Sequence, residues 1–244
     1  MRQNIQLERV AAGGAVGTGG EANAGRPPDA AAQSGFKMAS LVAAGMLLSR
    51  IAGLVRESIF AHYFGNSDAA DAFKAAFRIP NILQNLFGEG VLSASFIPVY
   101  SRLLGAGDEE QADVLAWTLG AIMSLAISVL VLLGVAFAPY LIDAIAPGFE
   151  GSKRELTIGL VRIFFPGAGL LVMSAWCLGV LNSHHRFFAS YTAPVAWNLA
   201  IIGFLLFYGP GHSQTRLAVL TAWGAVLGSA LQVGVQLPQA ARLA

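Results

Sequence analysis

From Leu115 to Phe137 the chain carries no charged residue. At roughly 1.5 Å per residue such a run is long enough, as a helix, to cross the roughly 30 Å hydrocarbon layer of a bilayer. Lipid offers no water to satisfy backbone N–H and C=O groups, so a spanning segment must satisfy them internally, and a continuous helix does. Comparable runs recur along the chain. The expected fold class is therefore all-α, a polytopic membrane protein. Composition agrees, with 55% hydrophobic and 12% charged residues against about 25% charged in soluble domains. A net charge of +1 gives no footprint for nucleic acid. The single cysteine, Cys177, lies inside an apolar run. It excludes a disulfide framework or cysteine-based metal site and reads as a buried small hydrophobe.

Residues 1–35 are polar and rich in Ala and Gly, with Pro27-Pro28. They read as a disordered cytoplasmic tail. Its GGAVGTGG run at 13–20 follows no strand and precedes no Lys-Ser/Thr pair, so it reads as linker and not as a phosphate loop. Residues 36–242 then read as six spans, at about 37–63, 69–103, 113–140, 156–182, 191–208 and 217–237. Lys37, Arg102, Arg186 and Arg242 fall on one side of the membrane, and Lys153, Arg154 and Arg216 on the other. The positive-inside rule then places both ends in the cytoplasm. Arg162 lies one to two turns into the fourth span and is expected to snorkel to the interface.

The second span breaks the apolar pattern in an ordered way. In DAFKAAFRIPNILQNLFGEG, residues 71–90, the polar residues Asp71, Lys74, Arg78, Asn81, Asn85 and Glu89 recur at steps of three or four. On a helix they form one stripe roughly 27 Å long. Phe73, Ala76, Phe77, Leu83 and Leu86 make the opposite, apolar face. A stripe of this kind belongs against a water-filled cavity or other protein and not against lipid. Span 1 adds Arg50 and Arg56, six positions apart, with Gly53 between them as a place to bend. Pro80 forfeits a helical hydrogen bond and is expected to kink span 2, while Gly88 and Gly90 form a second weak point.

Spans 1 and 2 together hold four cations, Arg50, Arg56, Lys74 and Arg78, against Glu57, Asp71 and Glu89. Surplus positive charge at membrane depth suits an anionic amphipathic ligand, and the arginine fork suits a phosphate. Asp71 is placed to pair with Lys74 three residues on. The structural alternative is a set of ion pairs that only holds the two helices together. His62, His184, His185 and His212 sit at span ends or in loops. No nucleophile–base pair or metal-ligand cluster is visible, so neither an enzyme nor a cofactor is expected.

At these residues the chain resembles a known family. SRIAGLVRE at 49–57, FG at 64–65, DAF at 71–73, RIPN at 78–81 and LFGEG at 86–90 followed by SFIPVY are similar to segments of the MurJ/MviN lipid II flippases. These belong to the multidrug/oligosaccharidyl-lipid/polysaccharide exporter superfamily. APGF at 146–149, FFP at 164–166, LNSHHRF at 181–187 and QLP at 236–238 extend the likeness over about 37–240.

The resemblance implies a six-helix N-terminal lobe of a two-lobe, alternating-access transporter. Its family flips undecaprenyl-diphosphate-linked peptidoglycan precursor across the bacterial cytoplasmic membrane. It implies that Arg50 and Arg56 match cavity arginines, and that Asp71 matches the acidic residue opening the second span. Pro80-Asn81 and Glu89-Gly90 match further elements of the family. Gln84 and Asn85 stand where many relatives carry basic residues, which lowers the local cation density. The expected partners are lipid II, membrane lipids, and a C-terminal lobe or partner chain not encoded in these residues. Two rivals remain: an exporter of another polyprenyl-linked glycan or a drug, and a non-transporting membrane scaffold.

Overall fold

The computed structural model describes the backbone of residues 28–244. It describes the side chains of residues 40 and 42–244, other than 88–91, 93 and 187–191. The GGAVGTGG run and the rest of 1–27 lie outside the described residues. No strand occurs among the described residues. The helices are α1 (Pro28–Phe64), α2 (Asp68–Gln84), α3 (Ile97–Gly105), α4 (Glu109–Ala136), α5 (Ala138–Ile145), α6 (Gly151–Ser183), α7 (Phe187–Tyr208) and α8 (Gln214–Ala240). A π-helical stretch, Asn85–Phe96, joins α2 to α3. α1 opens on Pro28, a residue suited to the first helical position, so residues 28–35, expected in the tail, are helical.

Local chemistry sets the helix ends. Gly65 turns the chain out of α1 with φ +53°, a conformation that costs a glycine little. The Ser67 side chain then accepts a hydrogen bond from the Ala70 N–H at 3.2 Å, and Asp68 and Asp71 occupy the first turn of α2. Both features complement the unpaired amides and positive end of the helix dipole. Asp108 caps α4 and Ser213 caps α8 in the same way.

The chain divides into residues 1–40 and 41–244. In the first unit the described residues are helical. The second is organised around α6, which packs against α8, α2 and α4, while α7 lies along α8. One core joins Phe60 and Phe64 of α1 and Phe73 and Ile79 of α2 to Phe164 and Phe165 of α6 and Leu205 of α7. A second core gathers Phe96, Tyr100, Met123 and Ile127 around Trp176 of α6. Trp176 packs against Gly120, where an added Cβ would come within 3.0 Å of the indole. Close approach at a glycine is how helices pack when lipid supplies no hydrophobic drive. Between α6 and α8, Gln232 Nε2 donates to Ser174 Oγ at 2.7 Å, and Ser174 Oγ donates to Gln236 Oε1 at 2.5 Å. All three side chains are buried.

Among the described residues three helices are long and apolar enough to cross a membrane: α4, α6 and α8. Among the described residues seven helical rods follow one another in the chain, with α2, the π-helical stretch and α3 forming one of them and the eight-residue α5 another. The helix passes Pro80 without ending, and Pro80 itself is buried. Cys177 is buried, as its apolar surroundings predict.

Candidate functional site

The 3.6-residue repeat of α2 separates two environments. Asp71, Lys74, Arg78, Asn81 and Asn85 are exposed, whereas Phe73 and Ala76 are buried and Phe77 and Leu83 half-buried. The backbones of Gly88, Glu89 and Gly90 fall in the π-helical stretch, but the Glu89 side chain lies outside the described residues. The apolar face is shorter than its sequence pattern. Leu86 is 57% exposed, as is Ile82 one turn before it at 59%.

Phe60 stacks on Phe64 with ring centroids 4.3 Å apart, and Phe73 meets Phe164 edge to face at 5.2 Å. Phe77 stacks on Trp197 of α7 at 5.7 Å. This aromatic cluster receives Arg56, whose guanidinium carbon lies 5.1 Å from the Trp197 ring and 5.9 Å from Phe77. Its Nη2 donates to Glu57 Oε1 at 2.7 Å. The Arg56 side chain is only 18% exposed against 58% for Glu57, so its charge is partly withdrawn from water. Lys74 lies across from it, with Nζ 5.9 Å from the Phe60 ring. Arg56, Glu57, Phe60, Phe73, Lys74, Phe77 and Ile201 line a cleft of about 40 Å³. Two cations, one exposed carboxylate and aromatic walls make a place where a small anionic group can meet a guanidinium in a weakened dielectric.

The other expected residues are distributed differently. Arg50 is exposed and does not line the cleft; neither does Arg78. Nothing lies within 4 Å of the Cβ that Gly53 lacks, so packing does not require that glycine. Asp71 is paired with Lys153 and not with Lys74. Lys153 Nζ lies 2.7 Å from Asp71 Oδ2 and 3.0 Å from Asp68 Oδ1. α6 begins beside the start of α2, which gives Lys153 two carboxylates and Lys74 neither.

Trp197, Ile201 and Lys153 are the participants that periodicity missed. Trp197 reads in sequence as one more apolar residue of α7, and Lys153 as a loop cation. Their roles depend on which helices become neighbours. Arg162 is exposed, and its Nε donates to the Val135 carbonyl at 3.4 Å. At the end of α6, Tyr100 Oη and His184 Nε2 are 2.9 Å apart. Burial is the main cause that holds the His184 imidazole below its ordinary pKa. No group of three His, Cys, Asp or Glu among the described residues is placed to hold a metal ion.

An all-helical architecture with long apolar helices, and a charged, exposed helix face beside them, defines a polytopic membrane protein. A family model described as "Lipid II flippase MurJ" matches residues 60–244, and the chain belongs to that family. The match begins just after SRIAGLVRE and covers the DAF, RIPN and LFGEG segments. "Lipid II flippase MurJ" of Burkholderia cenocepacia is 34% identical over 205 residues, covering 83% of this chain and 39% of the relative. "Probable lipid II flippase MurJ" of Aquifex aeolicus is 35% identical over 188 residues, 76% of this chain and 37% of the relative. A solved structure titled "Lipid II flippase MurJ, inward closed conformation" superposes with a TM-score of 0.67 at 29% identity, covering 81% of this chain and 41% of that one. The chain thus spans about two-fifths of the length of the curated relatives it matches.

Proposed function

We propose that this chain forms the six-span N-terminal lobe of a lipid II flippase of the bacterial cytoplasmic membrane, with both ends cytoplasmic. The observation that carries this reading is the exposed polar face of α2, set beside a cleft where Arg56 and Lys74 converge. The family membership and the activity named for the relatives supply the substrate. The diphosphate of lipid II meets Arg56 and Lys74, with Arg50 and Arg78 at either side. Asn81 and Asn85 follow on the same exposed face, where amides suit sugar and peptide groups, and Glu89 is assigned the same role from its place in the sequence repeat.

Asp71 gates closure in this reading. Its bond to Lys153 joins α2 to α6 through an exposed pair, and such pairs open and re-form at little cost. Gly53, Pro80, Gly88 and Gly90 are the hinges. Pro80 removes one backbone hydrogen bond, and the π-helical stretch after it holds its turns more loosely than an α-helix. Rocking requires a second surface, supplied by a C-terminal lobe or a partner chain. A related exporter of another polyprenyl-linked glycan or a drug would differ in measured substrate preference.

The test is complementation of flippase loss by a full-length version carrying Arg56→Ala. The expected result is loss of growth at normal protein level; normal growth would remove Arg56 from the mechanism. The scaffold reading draws on two observed pairs, Arg56–Glu57 and Asp71–Lys153. It is separated by placing cysteines at positions 74, 78 and 85. Reaction with an impermeant thiol reagent supports a wet cavity, and silence at all three supports a dry scaffold. Buried Cys177 provides an unreactive background.

A further inference from the structure

A second concavity lies on the other flank of α2. At about 100° per residue, Ile79, Ile82 and Leu83 follow each other around the helix away from the polar stripe. They face Leu130, Leu133 and Gly134 of α4, with Phe137, Leu141 and Ile145 at one end and Phe165 of α6 at the floor. The groove measures about 320 Å³ and its walls are apolar throughout. A methylene and a water each occupy about 30 Å³, so the groove accommodates an alkyl segment of roughly ten carbons.

The end near α5 lies at the membrane surface. Phe137 and Tyr140 are 53% and 70% exposed, as aromatic residues are at the headgroup level. Asp143 and Arg154 pair beside them at 2.8 Å. The groove therefore runs from the interface into the hydrocarbon layer.

A cation stands near the groove, close in the chain to one of its lining residues and outside the lining itself. Arg162 precedes Phe165 by one turn of α6, and its Nε donates to the carbonyl of Val135, the neighbour of Gly134. That carbonyl is among the last four of α4 and has no partner within the helix. Helical side chains lean toward the helix N-terminus, which carries the guanidinium toward the interface. Among the described residues no carboxylate pairs with Arg162. Only Nε is engaged by a described acceptor, and the remaining donors sit where an anionic oxygen is the favourable acceptor.

We propose that the groove between α2, α4, α5 and α6 holds one acyl chain of a membrane phospholipid, whose phosphate is bound by Arg162. Lipid hydrocarbon is as apolar as the groove, so the chain gains shape fit alone. Selection falls to the charge-assisted contact. This site is separate from the Arg56–Lys74 cleft and stands whether or not that cleft binds lipid II.

Native mass spectrometry of the chain in detergent tests it, with phosphatidylglycerol and diacylglycerol of the same acyl chains as probes. The charged contact predicts roughly tenfold better retention of phosphatidylglycerol. Arg162→Gln should reduce phosphatidylglycerol to the diacylglycerol level, and Arg162→Lys should restore part of it. Ile82→Trp places an indole in the groove and should displace both lipids. Ile82 is 59% exposed and Arg162 is exposed, so both variants keep the core, which an unchanged melting temperature verifies. Equal retention of the two probes, or unchanged retention in Arg162→Gln and Ile82→Trp, overturns the proposal. So does displacement of phosphatidylglycerol by an equal concentration of undecaprenyl diphosphate, which would make the groove a tail site for another lipid.

Discussion

Arg56 rests on the indole of Trp197, and Trp197 is itself held by its Nε1–H bond to the Ala225 carbonyl at 3.1 Å. Trp197→Phe keeps a ring under the guanidinium but gives up that bond. It should cost about 0.5–1.5 kcal/mol in thermal unfolding while leaving the cleft intact. Trp197→Ala removes the platform and should raise modification of Arg56 by an arginine-selective reagent several-fold, read by peptide mass mapping. His184 makes a second residue-scale prediction. Burial and the Arg186 and His185 charges lower its pKa, against Asp113 and Glu109, which raise it. A histidine with a lowered folded pKa favours folding fully above its unfolded pKa of about 6.5, and that contribution is lost as pH falls below it. The melting temperature should therefore fall between pH 7.5 and 5.5, and His184→Gln should flatten that slope. The cations of the cleft were legible in the sequence because charge is rare in this chain. Trp197 was not, since an aromatic residue in an apolar run carries no sign of what will rest on it.

At the scale of elements, α6 is the part that the others share. Its contact with α8 contains the Ser174–Gln232–Gln236 chain of hydrogen bonds, enclosed between apolar helices. Ser174→Ala leaves Gln232 and Gln236 without their shared partner. It should destabilise the chain by about 1–2 kcal/mol, measured by denaturant unfolding in mixed micelles. Gly134 on α4 makes a different prediction. A Cβ there would collide with the Phe165 ring, so Gly134→Ala should cost about 1–3 kcal/mol through overpacking. The α2 repeat was readable from steps of three and four, and those steps placed five charged or amide residues on the exposed face. The repeat does not register a change of helix type. A π-helical stretch follows Gln84, and Leu86 within it is exposed.

On the scale of the whole molecule, burial is unevenly shared. α1 exposes Leu47, Leu48, Ile51 and Leu54, whereas α6 is mostly buried from Thr157 to Leu181. Amide exchange followed by mass spectrometry should show the middle of α6 protected roughly tenfold more than residues 42–55, because local opening there must break more packing. The exposed apolar face of α1 suits lipid or a second lobe. Local chemistry by itself determined that the chain is helical, that it lives in a membrane, and that one helix has a polar, exposed side. Those properties follow from run length, composition and a repeat of 3.6, all of which act within a few turns. Only the tertiary structure decided which charge found which partner: Asp71 with Lys153, Arg56 with Trp197, and Arg162 with the end of α4. An ion or a cation over a ring acts within several ångströms, and residues far apart in the chain come that close only when helices pack.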